Sequence, residues 1–378
     1  MEATTRTTRP LRLSDAPALL RLLVAAQAVD QGGEHADLAD VEHELADPGL
    51  DLSRDSVGVF DGEVLVAQAT AHPRSGALAV SGVVDPAARG RGHGTALLGW
   101  ARELAAALGL ATLSVQTDDR VAGAVALFTR EGLSPVRHWY DMARELATGV
   151  GGVVVVEPTP RPVAGIVVEA VTARDSEEVR LLHGVAFADH WGSEPPDTEQ
   201  WSQRYLGSPA WCPQVSLLAR DDPGVVLVGG PGGGPADGPG AASSGAPGGT
   251  GVGPPGGPGA ASSGAPGGGS RGGLADTAVG GRVVGYALGY EWPAETAATG
   301  IREAWLGQLG VAPGARGRGV GSLLLAAFTD RARAAGFDRV GLAVDVQNTS
   351  DALTLYQRAG FTTTATATTY RGPATRAG

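Results

Sequence analysis

Residues 86–98 read PAARGRGHGTALL, and residues 313–325 read PGARGRGVGSLLL. Each copy is a Gly/Arg turn that follows an apolar run and opens an apolar helix. The preceding runs are Leu78–Val84 and Trp305–Val311, and the helices are expected to start at Thr95 and Ser322. Such a turn suits a diphosphate. The first N–H groups of a helix lack internal partners and sit at its positive dipole end. Glycines let backbone curl around an anion without side-chain clash. Arginine adds charge that matches phosphate oxygens. The cradle residues are Val83, Val84, Arg89, Gly90, Arg91, Gly92, His93, Gly94 and Thr95 in the first copy. In the second they are Leu309, Gly310, Val311, Arg316, Gly317, Arg318, Gly319, Val320, Gly321 and Ser322.

Two other phosphate turns are excluded. A P-loop needs a lysine, and all 29 basic residues here are arginine. A dinucleotide fingerprint needs G-x-G-x-x-G, which neither copy has. The remaining pattern, Arg-x-x-Gly-x-Gly between strand and helix, resembles the acetyl-CoA-binding turn of the GCN5-related N-acetyltransferases (GNAT). A second signature of that superfamily is similar to GLAVDVQNTSDALTLYQRAGF at 341–361. The resemblance implies that Asn348 faces the cofactor and that Tyr356 protonates the CoA sulfur as general acid. It implies that a backbone N–H within Leu309–Val311 polarises the thioester carbonyl. For the amine-side base it points to Glu303, with Glu291 as the other candidate; Trp305 stands where relatives more often carry the glutamate.

The first half carries a reduced version, VAGAVALFTREGL at 121–133. Phe128 takes the place of Tyr356, and Arg120 that of Asn348. Phenylalanine keeps the packing and has no proton to give. The first half is therefore expected to hold acetyl-CoA and turn it over poorly, leaving the second half as the catalyst. The tandem layout resembles the mycothiol synthase branch of the superfamily, an actinobacterial family that acetylates a cysteinyl amine on a sugar–inositol conjugate. The segment 187–201, FADHWGSEPPDTEQW, departs from that branch; with Trp201 and Trp211 it is expected to line the acceptor side. A non-catalytic acyl-CoA sensor is the alternative of a different class.

The elements that must position these residues repeat as well. TTRPLRLSDAPALLRLLVAAQ near the start and IVVEAVTARDSEEVRLLHGVAF at 166–187 both read as a short strand, then an Asp/Ser-capped helix. In the first unit that strand is expected at Leu11–Leu13. Ser56–Phe60 and Glu63–Thr70 form a hairpin across Asp61-Gly62. Its counterpart, Gln214–Arg220 with Arg282–Tyr290, is interrupted at about 222–281. There the composition is chiefly Gly, Pro, Ala and Ser, with GPGAASSGAPGG present twice. Such a stretch buries too little apolar area to offset ordering it.

The fold class expected is α/β (α+β, mixed sheet): two tandem GNAT-like domains, each a mixed, mostly antiparallel sheet flanked by helices. The first spans 1–146, a proline-bearing linker 147–165, and the second 166–372. Val153–Val156 could add an edge strand. At 378 residues and 43% hydrophobic content, two cores of ordinary size are affordable. The formal charge of −11 argues against nucleic-acid binding. One cysteine, Cys212, permits no internal disulfide. The scattered histidines offer no metal pair. The first ten residues lack the apolar core of a signal peptide, and no run is long enough to span a membrane. The expectation is a cytoplasmic monomer or homodimer acting on a small-molecule or peptide amine, with acetyl-CoA as cosubstrate and no metal.

Overall fold

In a computed structural model of the chain, the described residues are 6–30, 36–146, 162–188, 190–221, 281–347 and 352–375. Asn348, Val153–Val156 and the Gly/Pro-rich stretch 222–280 lie outside them.

The first half contributes strands β1 (Arg6–Arg9), β2 (Ser56–Asp61), β3 (Val64–Arg74), β4 (Ala77–Val84), β5 (Thr112–Asp118) and β6 (Ser134–Glu145). The second contributes β7 (Ile166–Ala170), β8 (Leu217–Asp221), β9 (Arg282–Tyr290), β10 (Glu303–Val311), β11 (Arg339–Asp345) and β12 (Thr362–Pro373). Helices α1 (Ala16–Asp30), α2 (Leu38–Leu45), α3 (Leu52–Asp55), α4 (His93–Ala107) and α5 (Ala122–Arg130) belong to the first half. Helices α6 (Ser176–Ala186), α7 (Thr198–Trp201), α8 (Pro293–Thr299), α9 (Val320–Ala334) and α10 (Ala352–Arg358) belong to the second.

Among the described residues the twelve strands form one sheet in the order β1-β2-β3-β4-β5-β12-β6-β11-β10-β9-β8-β7. The last strand of each half has crossed to the other. β6 pairs antiparallel with β11, and β12 with β5, while β6 and β12 pair with each other at the centre. Within each half the pairs are antiparallel, except β4 with β5 and β10 with β11, which are parallel.

Packing follows from the sequence periods. α4 buries Leu97, Leu98, Ala101, Leu104 and Ala105; α9 buries Leu324, Leu325, Phe328 and Ala332. These are the helix faces that the three-and-four spacing requires. Each buried leucine contributes roughly 1.5–3 kcal/mol of transfer free energy. The largest core belongs to the second half and reaches into the first through Met142 and Leu146.

Three expected boundaries shift. The opening strand is Arg6–Arg9 rather than Leu11–Leu13. Leu11 is instead buried in the core beneath α1, and its N–H donates to the Ser56 hydroxyl at 2.8 Å. α4 and α9 each begin two residues before the expected Thr95 and Ser322, because Gly92 and Gly319 act as left-handed N-caps with φ of 86° and 85°.

Candidate functional site

The two parallel strand pairs are forks. β4 and β5 pair only from Leu78–Val80 to Leu113–Val115, and then separate. β10 and β11 pair only from Glu303–Trp305 to Arg339–Gly341, and then separate. Past that point Leu309, Gly310 and Val311 pair on one side only, with β9, so one edge of the backbone faces the gap. Val83 and Val84 stand at the same place in the first half. A bulge between Leu306 and Gln308 twists β10 where the fork opens.

Each fork ends at its glycine turn. Gly90 and Gly92 have φ of 74° and 86°, and Gly317 and Gly319 have 75° and 85°. Left-handed backbone suits glycine, because a Cβ there meets the following carbonyl. Gly94, Thr95, Gly321 and Ser322 then fall in the first turns of α4 and α9, where N–H groups are unpaired by the helix. In the first half the fork encloses a cavity of about 590 Å³. Val83, Val84, Gly92, Gly94, Leu127 and Phe128 are among its lining residues.

The arginines that open the two turns, Arg89 and Arg316, do different work from their neighbours. Arg89 pairs bidentately with Asp30 at 2.6 and 2.7 Å, and its Nε donates to the Val84 carbonyl at 3.2 Å. Arg316 donates to the carbonyls of Ala186 at 2.8 Å and Val311 at 3.4 Å. Both guanidiniums therefore tie the turn to the end of α1 or α6. Arg318 pairs with Asp221 at 3.2 Å at the surface, and Arg91 is exposed. Arg89 and Arg316 are thus engaged within the protein, which leaves the backbone N–H groups of each turn and the exposed Arg91 available to an anion. His93 is buried at the start of α4, and burial and two neighbouring arginines hold it below the ordinary imidazole range. Val320 is buried beneath the second turn.

Tyr356 lies on α10, fully buried, with its ring edge-on to Phe361 at 5.9 Å. Phe128, its counterpart on α5, lines the first cavity and packs against Tyr370 at 5.6 Å. Tyr370 sits on β12, so that strand packs behind Phe128 in the first half's core.

Both candidate bases are bound in ion pairs. Glu303 meets Arg339 at 2.6 Å on the closed side of the fork; burial still raises its carboxyl above the ordinary range. Glu291 accepts from Arg302 at 2.7 and 3.0 Å. Arg120, in the place of Asn348, is held by Asp118 at 2.6 Å. Trp201 is a correction. It stacks on Tyr205 at 4.1 Å within the core and does not line an acceptor surface. Its neighbour His183 is likewise structural, since its Nδ1 bonds the Tyr286 hydroxyl at 2.6 Å and burial lowers its pKa to about 3. Trp211 donates to Ser216 at 3.1 Å. The thiol of Cys212 is buried and raised in pKa by that burial.

The segment after α6 does bridge the halves. Trp191 takes the Arg371 guanidinium at 4.3 Å and that of Arg137 at 5.2 Å from its ring centre. Arg74 donates to the Gly192 carbonyl at 3.0 Å, and Ser75 N–H to Glu194 at 2.8 Å. At the bulge of β10 two buried donors, Trp305 Nε1 and Gln308 Nε2, have no acceptor among the described residues. Their local sequence gave no sign of this, because the bulge that aims them is a property of sheet pairing. Among the described residues no group of His, Cys, Asp and Glu could hold a metal, and no helix is long and apolar enough to cross a membrane.

Sequence and fold comparisons agree with this geometry. The model of the acetyltransferase (GNAT) family matches residues 24–133 and 268–361. A mycothiol acetyltransferase of Clavibacter michiganensis subsp. michiganensis is 29% identical over 379 aligned positions, covering 96% of this chain and 97% of that protein. Among solved structures, a GCN5-related N-acetyltransferase of Sphaerobacter thermophilus superposes with a TM-score of 0.63 at 24% identity, covering 99% of this chain and 96% of that one. A tandem GNAT protein of the clavulanic acid biosynthesis pathway gives 0.62 at 17% identity, covering 99% and 100%.

Proposed function

Because the chain belongs to the GNAT family of acetyltransferases, we propose that its second half moves an acetyl group from acetyl-CoA to a primary amine. The observation that carries this reading is the fork between β10 and β11, open from Trp305 onward and ending at the left-handed turn Gly317–Gly319. The pantetheine arm would add to the free edge of Leu309–Val311, as an extended strand adds to a sheet edge. The diphosphate would meet the N–H groups after Gly319.

The chemistry asks little of the remaining residues. The amine nitrogen attacks the thioester carbon, a C–N bond forms and the C–S bond breaks. A backbone N–H of Leu309–Val311 steadies the carbonyl oxygen as charge develops on it. Tyr356 gives its hydroxyl proton to the leaving sulfur. Asn348 lies outside the described residues and keeps the cofactor-facing role that the family resemblance implies. Trp305 Nε1 and Gln308 Nε2 offer two further hydrogen-bond donors near the bulge, suited to oxygens of a polar substrate.

The acceptor we favour is the cysteinyl amine of a cysteine–glucosamine–inositol conjugate. Near full-length similarity to a mycothiol acetyltransferase, at 29% identity, supports this choice. The first half would bind acyl-CoA in its cavity without efficient turnover, since Phe128 has no proton to donate. Thiol release measured with acetyl-CoA and that conjugate tests the reading. Turnover abolished by Tyr356→Phe and retained by Phe128→Tyr is the expected result. Tight acetyl-CoA binding with no acetylated product from this or any of a broad panel of amines would favour a sensor instead.

A further inference from the structure

The crossing of β6 brings a carboxylate of the first half beside the fork of the second. Glu303 and Glu291 are engaged by arginines, and Trp305 occupies the position between Glu303 and the bulge. The side chains of Glu303 and Trp305 lie together over β11 at Gly341. A Cβ at Gly341 would come within 2.5 Å of Glu303 Oε1 and 2.7 Å of Trp305 Cε3. On the same side of the sheet, β6 sets Asp141 directly opposite Ala343, one strand beyond the fork. Neighbouring strands lie about 4.8 Å apart. A nitrogen poised over the fork is therefore within reach of this carboxylate, directly or through one water.

The surroundings of Asp141 suit a proton acceptor. Its neighbours on that side are Ala143 and the buried Trp139 on β6, Ala343 on β11 and Ala365 on β12, while Glu303 and Trp305 cover Gly341. Among the described residues its carboxylate has no ion pair and no hydrogen bond; its backbone carbonyl accepts from the Thr364 hydroxyl at 3.2 Å. The side chain is partly exposed. Burial, then the negative charge of Asp118, raise its pKa to about 6, against a smaller opposing pull from Arg120. Glu303 adds a further raising influence. The other charged groups on this side are paired: Arg339 with Glu303, and Asp345 with Arg137. Glu145 lies on β6 itself.

We infer that Asp141, donated by the first half's last strand, is the proton acceptor of the second half's acetyl transfer. This rests on the acetyltransferase reading above. As the acceptor nitrogen attacks the thioester carbon, its surplus proton passes to the Asp141 carboxylate, and Tyr356 protonates the sulfur that departs.

The test uses the full chain, acetyl-CoA and the cysteine–glucosamine–inositol conjugate. Asp141→Asn is expected to bind acetyl-CoA as the wild type does by calorimetry and to lower kcat/KM by about 100-fold or more near pH 7. Its rate should climb toward wild type at pH above about 8, where an α-amine deprotonates unaided. Asp141→Glu should retain part of the activity. Asp141→Asn with an unchanged rate and an unchanged acid limb overturns the inference, as does an equal loss at every pH. A wild-type chain that binds acetyl-CoA but acetylates no amine overturns the underlying reading, and a wild type active with Asp141→Asn equally active overturns this inference alone.

Discussion

Gly319→Ala, with Gly92→Ala as its matched partner, separates a turn that holds phosphate from a turn that only joins strand to helix. Both glycines have φ near +85°. An added Cβ at Gly92 meets nothing within 4 Å, and at Gly319 the nearest atom is Val163 Cγ2 at 3.6 Å, an ordinary contact. Neither substitution therefore clashes. What remains is the left-handed backbone itself, worth roughly 1–2 kcal/mol for alanine. Both variants should lose that much stability, to similar extents. Their turnover should diverge. The turn at Gly319 fixes the N–H groups that would face the diphosphate, and each charge-assisted hydrogen bond to an anion is worth roughly 1.5–3 kcal/mol. Losing one weakens acetyl-CoA about 10- to 150-fold. Isothermal calorimetry should show one site lost in each variant, while steady-state assays show turnover lost only in Gly319→Ala. A Gly319→Ala chain that melts 1–2 kcal/mol lower yet keeps wild-type acetyl-CoA affinity would refute backbone cradling at this turn.

Other outcomes follow from the same geometry. Tyr356→Phe keeps the ring against Phe361 and should lower kcat by roughly 10²–10⁴-fold with little change in melting temperature; unchanged kcat in single-turnover assays would remove Tyr356 from the chemistry. Arg316→Ala should cost about 1.5–3 kcal/mol of stability, from the lost bond to the Ala186 carbonyl, and leave the salt dependence of acetyl-CoA binding as it was; a flattened salt dependence would mean the guanidinium does reach phosphate. His183 has a folded pKa of about 3, below its unfolded value near 6.5. The unfolded chain therefore takes the proton first, and this histidine makes stability fall as pH drops from about 6.5 toward 3. His183→Gln should flatten that part of the denaturation profile, and an unaltered acid limb would contradict it. A chain ending at residue 361 lacks β12, which pairs with β5 and β6 and supplies Tyr370 to the first core. It should show no cooperative melt of the first half; a normal melt would mean that half folds without the exchanged strand.

Much of the site was legible in the chain as written. The two Gly/Arg turns announced strand, left-handed turn and helix, because only glycine adopts that backbone freely and because apolar spacing fixes the helix face. The Phe128/Tyr356 contrast also needed no coordinates, since a hydroxyl is either present or absent. Other features were invisible for physical reasons. Whether Arg89 and Arg316 point to phosphate or to a helix end depends on Asp30 and Ala186, which are 59 and 130 residues away. Whether Glu303 is a base depends on Arg339 across a parallel pairing. The exchange of β6 and β12 has no local signature, because strand partners are chosen by the edges that tertiary packing leaves open. That choice alone puts Asp141 of the first half beside the fork of the second. Local sequence decides what a backbone segment can be, through sterics and periodicity acting over a few residues; which charges neutralise one another, and which remain available, is decided only when distant strands are brought to within about 5 Å.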